Sequence, residues 1–279
     1  MNQPYRIQPR KNFFNLSLTV WLIIINSVVS LAFFIANIFY PDLFNYLALT
    51  PAMIIQGQNL WTLVTSMFLH GSLAHLFFNM ISLFFVGNFI EKIIGKKRFI
   101  RFYLIAGIFA GLFFSIVSGF FGFGIGEKIF GNPSVFGVGA SGAIFGLLGL
   151  LAVLIPKKKI YLILGPLVAI LIQSAAELFL AGNPILSALS FVLNIYILVS
   201  IFTIFSFNSK MRIISLPVEL PFWLLPVVAI VPLVIFGIFV DLPIGNMAHL
   251  GGLIAGLIYG FYLRKKYKNK MKYLGKVFN

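Results

Sequence analysis

Long apolar stretches separated by short polar segments dominate the chain. We count eight apolar runs, with approximate limits at 15–40, 60–91, 99–119, 141–155, 160–181, 185–206, 218–240 and 245–263. The runs are continuous rather than alternating, which is typical of membrane-spanning helices and not of barrel strands. The pattern therefore predicts an all-α, polytopic membrane helix bundle with about eight spans. The first run is too long for the apolar region of a signal peptide, so we interpret it as the first spanning helix.

The composition supports a membrane protein, because 60% of the 279 residues are hydrophobic and only 10% are charged. Soluble domains are less apolar and more charged. The chain has no cysteine, which excludes disulfides and a thiol nucleophile. The net charge of +15 would suit nucleic acid, but the placement of the basic residues favours a different explanation.

Basic residues lie almost entirely in alternate connections between the runs. If the chain crosses eight times, 20 of the 21 lysines and arginines fall on one side. The positive-inside rule then places both termini in the cytoplasm, and anionic membrane lipids rather than nucleic acid become the expected partner. The chain divides into a cytoplasmic tail (1–14), a transmembrane domain (15–263) and a basic cytoplasmic tail (264–279). A lysine-rich chain without cysteine indicates a prokaryotic plasma membrane.

The fourth run is too short to cross a bilayer alone. Residues 141–155 would form a helix of about 22 Å, whereas the hydrocarbon core is about 30 Å thick. The run follows the glycine-rich stretch "GVGASGAIFG" at 137–146, so Ser141 is expected below the outer membrane surface. Non-helical backbone at that depth is tolerated only inside protein or beside a water-filled cavity. The sequence therefore predicts a wet cavity that opens outward at Ser141.

The three histidines of the chain, His70, His75 and His249, fall near the outward ends of predicted helices. Ionisable residues at such positions are candidates for function. His75 and Asn79 are four residues apart and share a helix face, whereas His70 points elsewhere. We interpret His70 as structural, bonded to loop carbonyl groups.

Two glycine faces predict which helices meet. Gly142, Gly146 and Gly149 share a face of the fourth run, and His249 shares a face of the last run with Gly252 and Gly256. Small residues at this spacing let helix backbones approach closely in lipid. If the two faces meet, Ser141 and His249 lie side by side at one depth.

A serine beside an imidazole suits nucleophilic catalysis, since the imidazole accepts the hydroxyl proton. No acid is placed to orient His249, because Asp241 is eight residues upstream and across a proline. The pair would be a dyad, with Phe145 holding the imidazole by ring stacking. His75, Asn79 and the N–H of Ser141 would stabilise an oxyanion.

At these residues the chain resembles the rhomboid family of intramembrane serine proteases. The matching motifs, in chain order, are His70-x4-His75-x3-Asn79, Gly87-x3-Glu91-x3-Gly95, Gly139-Ala140-Ser141-Gly142 and Ala248-His249-x2-Gly252-x3-Gly256. The resemblance implies Ser141 as nucleophile, His249 as base, and an oxyanion hole of His75, Asn79 and the Ser141 amide. It also implies cleavage of peptide bonds in or beside transmembrane segments of protein substrates, without a metal or cofactor.

The chain departs from the family pattern in three places. The loop before the second helix has Trp61-Thr62 where the family often has Trp-Arg, and Phe145 stands where tyrosine is common. The family core has six helices, so two helices within about 157–210 are an insertion, which we expect at the periphery of the bundle. The segments "KKKIYLILGP" and "KMRIISLPVELP" that flank this insertion resemble each other weakly.

Other readings of these residues remain open. Ser141 on its own could be a packing residue, and three histidines could bind zinc, although no carboxylate joins them at metal-ligand spacing. A non-catalytic rhomboid-like protein that binds transmembrane helices is the main alternative function. A transporter or channel would spread polar residues across the bilayer, and only Glu177, in an inserted helix, fits that pattern. Glu91 is expected to bond backbone as a fold element, and the oligomeric state is undetermined.

Overall fold

The computed structural model describes residues 16–180, 183–204, 213–239 and 245–270. The α-helices in these ranges are α1 Leu18–Phe39, α2 Leu43–Leu47, α3 Pro51–Ile55, α4 Thr62–Thr65, α5 Leu73–Ile94, α6 Lys96–Phe121, α7 Glu127–Phe130, α8 Ser141–Leu154, α9 Gly165–Leu180, α10 Pro184–Ile204, α11 Leu225–Phe239 and α12 Asn246–Lys266. Short 3-10 helices span Ser66–Phe68, Gly124–Gly126 and Ile213–Ser215. The two tails and Asp241 fall largely or wholly outside the described residues.

Each of the eight apolar runs contains one helix of at least 14 residues within the described ranges. Four of these helices, α1, α5, α6 and α12, are long and apolar enough to cross a membrane. Helix α8 has 14 residues, or about 21 Å, which is shorter than the hydrocarbon core. The mostly helical fold is confirmed, and the count of eight crossings stays a prediction.

The second apolar run does not fold as a single helix. Its first part folds as α4 and a 3-10 turn, and α5 begins only at Leu73. The extended backbone of Ser72 interrupts the helix, and its side chain accepts a hydrogen bond from the N–H of His75 at 3.1 Å. Serine at an N-cap satisfies a donor that the first turn leaves free. As a result, His70 lies in the turn before α5 and not on the helix.

The fold is mostly helical as predicted, but a two-stranded antiparallel ribbon stands where two apolar runs were expected to begin as helix. Strand β1, Lys159–Ile163, pairs with β2, Pro217–Pro221, in the register Lys159 with Pro221 and Ile163 with Pro217. The two segments that resemble each other in sequence are therefore hydrogen-bonded partners. Proline has no N–H to donate and is tolerated at the ends of an edge strand. The apolar runs at 160 and 218 therefore begin as strands, and their helices start later, at Gly165 and Leu225.

Helix α8 lies in the centre of the bundle and packs against α12, α6, α5 and α11. Eleven of its 14 residues are buried, as expected of a helix that is apolar all round. Large side chains on the outer helices face outward, among them Phe77, Phe84 and Phe85 of α5. The apolar exterior and the enclosed short helix are those of a bundle in lipid.

Helix α1 is anchored to α5 by one buried carboxylate. Glu91 accepts hydrogen bonds from the N–H of Leu18 at 3.0 Å and from the N–H and hydroxyl of Thr19 at 2.8 and 2.7 Å. The first N–H groups of a helix have no partner within it, and an acceptor there also meets the positive end of the helix dipole. Glu91 thus bonds backbone as expected from the sequence.

Helices α9 and α10, the pair expected to be an insertion, pack mainly against each other and against the turn Ile213–Ser215. Tyr196 of α10 donates its hydroxyl proton to the carbonyl oxygen of Ile214 at 2.8 Å. The side chain of Glu177 lies outside the described part of the structure. Its role stays undetermined.

Candidate active site

Ser141 is the first residue of α8, and the chain reaches it through a tight turn. Gly139 has a φ of +122°, a left-handed conformation that favours glycine. Its N–H donates to the carbonyl oxygen of Ser66 at 2.8 Å. A Cβ atom on Gly139 would lie 2.9 Å from both Cε1 and Nε2 of His75. The turn therefore needs glycine for its backbone conformation and for the space that the His75 ring fills.

Helices α8 and α12 meet along their glycine faces. A Cβ atom on Gly252 would overlap the carbonyl oxygen of Gly142, and one on Gly256 would overlap that of Gly146. On the opposite face, a Cβ on Gly142 would come within 2.7 Å of the Ala110 side chain of α6. Backbone-to-backbone contact of this kind requires small residues, and it fixes how α8 and α12 lie relative to each other.

The contact brings His249 and Ser141 together, with Nε2 of the imidazole 2.9 Å from Oγ of the serine. Phe145, one turn after Ser141, stacks on the His249 ring with centroids 4.2 Å apart and planes 8° from parallel. His249 is 9% exposed, and its Nδ1 is buried without a hydrogen-bond partner among the described residues. The pair has hydrogen-bonding geometry suited to proton transfer from hydroxyl to imidazole.

His75 and Asn79 line the same cavity as Ser141 and His249. Asn79 is buried, and its Nδ2 donates to the carbonyl oxygen of His75 at 2.9 Å. This bond uses one of the two amide hydrogens and leaves the other available. The His75 ring lies beside the Gly139 turn, because a Cβ atom on Gly139 would come within 2.9 Å of it. Two polar residues of α5 thus belong to the lining of the cavity that holds the serine.

His70 lies next to this group but is fully buried. Its Nδ1 is 2.9 Å from Oγ of Ser30 on α1, so the expectation that it bonds loop carbonyl groups is wrong. A partner 40 residues away is not visible in local spacing, although Asn26 and Ser30 do share one polar face of an otherwise apolar run. The His70 ring meets the His75 ring edge to face, with centroids 5.1 Å apart.

The cavity at Ser141 has a volume of about 1050 Å³, and its lining includes residues of α7 and of the loop that precedes the serine. Phe136 and Lys128 are among the residues of these segments that form the cavity wall. Glu127, also in the wall, accepts a hydrogen bond from Asn132 at 2.7 Å. The volume suffices for a short stretch of extended peptide together with water.

No three His, Cys, Asp or Glu side chains in the described ranges gather at a distance that would hold a metal ion. The rings of His70 and His75 are in contact, and their Nδ1 atoms lie 2.9 Å from the Ser30 hydroxyl and 3.5 Å from the Gly71 N–H nitrogen, respectively. The expectation of a site without metal or cofactor stays a prediction.

Comparison with known proteins finds a family model, the Rhomboid domain, that matches residues 57–194 and 194–266. The chain is 38% identical over 112 residues to "Rhomboid protease GluP" of Bacillus subtilis (strain 168), covering 40% of this chain and 19% of that protein. It is 36% identical over 115 residues to "RHOMBOID-like protein 1" of Arabidopsis thaliana, covering 41% of this chain and 26% of the relative. The matched segments thus span about a fifth to a quarter of these relatives.

A further relative bears on activity. Over 53 residues, or 19% of this chain and 15% of the relative, the chain is 40% identical to "Inactive RHOMBOID-like protein 8" of Arabidopsis thaliana. Similarity to the family therefore extends to proteins with and without protease in their names.

Proposed function

Because the chain belongs to the rhomboid family, whose matched members include a named protease, we propose that it is an intramembrane serine protease. Its reaction is hydrolysis of peptide bonds in or near the transmembrane segments of membrane proteins. The observation that carries the proposal is the 2.9 Å contact between His249 Nε2 and Ser141 Oγ beside a large cavity.

In the proposed mechanism His249 removes the proton of Ser141 as Oγ attacks the scissile carbonyl carbon. The resulting tetrahedral oxyanion accepts hydrogen bonds from His75, Asn79 and the N–H of Ser141, at the positive end of α8. His249 then returns the proton to the leaving amine, and an acyl-enzyme forms on Ser141. A water molecule, deprotonated by His249, hydrolyses this ester and restores the free serine.

The dyad operates without an acid to orient the base. The stacked Phe145 ring restricts the imidazole to one plane, and Nδ1 of His249 is buried without a hydrogen-bond partner among the described residues. An imidazole held this way keeps Nε2 toward the serine. Phe145 thus takes the orienting part that a carboxylate takes in a triad.

The chain is an integral membrane protein, as its apolar helices and its family indicate. We further propose eight crossings with both termini in the cytoplasm, an inserted helix pair within 157–210, and a prokaryotic plasma membrane. The alternating basic connections support this topology. In it, the cavity faces outward, and substrates enter from the outer half of the bilayer.

A second candidate is a rhomboid-like protein that binds transmembrane helices without cleaving them. The similarity to a relative that is named inactive supports this second candidate. A binding protein has no need of a serine within hydrogen-bonding distance of an imidazole. The intact pair therefore favours the protease.

The decisive experiment treats the purified protein in detergent with a fluorophosphonate probe and, in parallel, with a transmembrane substrate. We expect wild type to be labelled and to cleave, and Ser141→Ala to do neither. Ser134→Ala, which alters an exposed serine of the preceding loop, is the matched control and should behave as wild type. Cleavage that survives Ser141→Ala would remove this serine from the mechanism. An unlabelled, inactive wild type that still binds the substrate would favour the second candidate.

A further inference from the structure

The proton between Ser30 and His70 can be assigned from their partners. Ser30 Oγ lies 3.0 Å from the carbonyl oxygen of Phe68 and 2.9 Å from Nδ1 of His70. The carbonyl oxygen only accepts, so the single hydroxyl proton goes to Phe68. The imidazole must then donate its Nδ1–H to Ser30. His70 Nε2 is buried without a partner among the described residues, and a charge there would be costly, so the ring is the neutral Nδ1–H tautomer.

The tautomer of His75 follows in the same way. The N–H of Gly71 points at Nδ1 of His75 over a long 3.5 Å, and because the amide donates, Nδ1 is the acceptor. The ring proton of neutral His75 is then on Nε2. This nitrogen lies against Gly139, two residues before Ser141. His75 therefore directs an N–H donor toward the turn where the oxyanion would form.

The two histidine rings are in contact, and they are attached to different helices. The ring centroids are 5.1 Å apart at an interplanar angle of 73°. His70 is held by Ser30 of α1, whereas His75 belongs to α5. The hydrogen bond to Gly71 is too long to orient His75 firmly. The contact with His70 therefore connects the orientation of the His75 ring to α1.

We propose that Ser30 and His70 are positioning residues for the oxyanion donor His75. Ser30 fixes the tautomer and rotation of His70, and the His70 ring keeps the Nε2–H of His75 aimed at the oxyanion. This inference rests on the proposed protease function. Helix α1 contributes no residue to the lining of the cavity. Through Ser30, it would nevertheless help to position an oxyanion donor.

Ser30→Ala tests the link, because it removes the acceptor of the His70 proton without touching the cavity. Losing an oxyanion donor outright costs about 10²–10³ in rate, so a misaligned donor should cost less, about 5- to 20-fold in kcat. The KM should stay within about twofold, since Ser30 makes no substrate contact. Ser30→Thr retains a hydroxyl and should keep kcat near that of wild type.

Ser115→Ala is the matched control. Ser115 of α6 is also fully buried, and its hydroxyl donates to the carbonyl oxygen of Gly111 at 2.8 Å, but it has no contact with either histidine. We expect its kcat to equal that of wild type. An equal loss of kcat in Ser115→Ala and Ser30→Ala would show a general effect of losing a buried hydroxyl and would overturn the proposal.

Repeating Ser30→Ala in a His75→Ala background isolates the route of the effect. The readout is the rate at which a fluorophosphonate labels Ser141. The phosphoryl oxygen of this probe occupies the oxyanion site during the reaction. We expect no further loss in the double variant. The same 5- to 20-fold loss there would mean that Ser30 acts by another route and would overturn the inference. A wild type that cleaves at the same rate as Ser30→Ala refutes this inference alone, whereas a wild type that neither labels nor cleaves refutes the protease function as well.

Discussion

Replacing Phe145 by leucine tests whether ring stacking orients the base of the dyad. Phe145 and His249 are stacked with centroids 4.2 Å apart and an angle of 8°. Leucine fills much of the same space but offers no ring face. Phe145 is absent from the described lining of the cavity, so the substitution should leave substrate binding unchanged and act on the imidazole.

The expected loss can be worked from the value of an aromatic contact. Such pairs are worth about 0.5–1.5 kcal/mol beyond the area that they bury. If this energy holds His249 in its reactive orientation, its removal lowers kcat by about 2- to 13-fold, since 1.36 kcal/mol corresponds to a factor of ten. The KM should change little. Phe145→Tyr keeps the ring and should keep kcat.

The assay is steady-state cleavage of a transmembrane substrate in detergent, normalised to the fraction of protein that a fluorophosphonate labels. Phe102→Leu is the matched control, because Phe102 stacks on Tyr259 with centroids 4.8 Å apart at 12° but lies away from the dyad. It should lower the melting temperature and leave the normalised kcat unchanged. A normalised kcat that is unchanged in Phe145→Leu, or that falls equally in Phe102→Leu, refutes the reasoning.

Four further outcomes are expected. Gly252→Ala places a Cβ against the carbonyl oxygen of Gly142, so labelling and cleavage should fall at least tenfold; wild-type activity would contradict the helix contact as described. Asn79→Ala should lower kcat by up to about 10²–10³ if the amide donates to the oxyanion, and an unchanged kcat would remove it from that role. Glu91→Gln leaves donors of α1 unpaired at a cost of about 1–3 kcal/mol, so the melting temperature should drop while kcat holds; an equal drop in the exposed Glu127→Gln would refute this. Replacing residues 164–216 by Asn-Gly should join β1 and β2 as a hairpin, and Ser141 should still be labelled by the fluorophosphonate. A shortened protein that enters the membrane but is not labelled would show that α9 and α10 support the site.

Much of the site follows from spacing along single helices. His75 and Asn79 share a face at four residues, and the glycines of α8 and α12 recur at the spacing of a close helix pair. Ser141 begins a helix whose length is too short for the bilayer. These are local properties of the chain, and the structure brings Ser141, His249, His75 and Asn79 to one cavity.

The parts that the sequence did not reveal depend on contacts between distant segments. The hydrogen bond between His70 and Ser30 joins positions 40 residues apart, and the polar face that Asn26 and Ser30 share does not indicate which residue it meets. The second apolar run begins near residue 60, but α5 begins only at Leu73, after the N-cap Ser72. Hydropathy alone does not reveal this start, because it does not detect a helix cap. The ribbon was missed because a short apolar stretch has no period that separates a buried strand from a helix.

The ribbon explains how a helix pair can be inserted between α8 and α11 without moving Ser141 away from His249. The chain leaves the core at Lys159 and returns to it opposite, at Pro221, so the two core helices are joined as closely as by a short hairpin. Backbone bonds from Phe222 to Lys158 and from Trp223 to Pro156, at 2.9 and 3.2 Å, extend this closure to the end of α8. Since α9 and α10 pack mainly on each other, we expect their removal to leave the packing of the core in place. Two added crossings, as proposed, would also leave the direction of α12 unchanged, and with it the side of the membrane from which His249 enters.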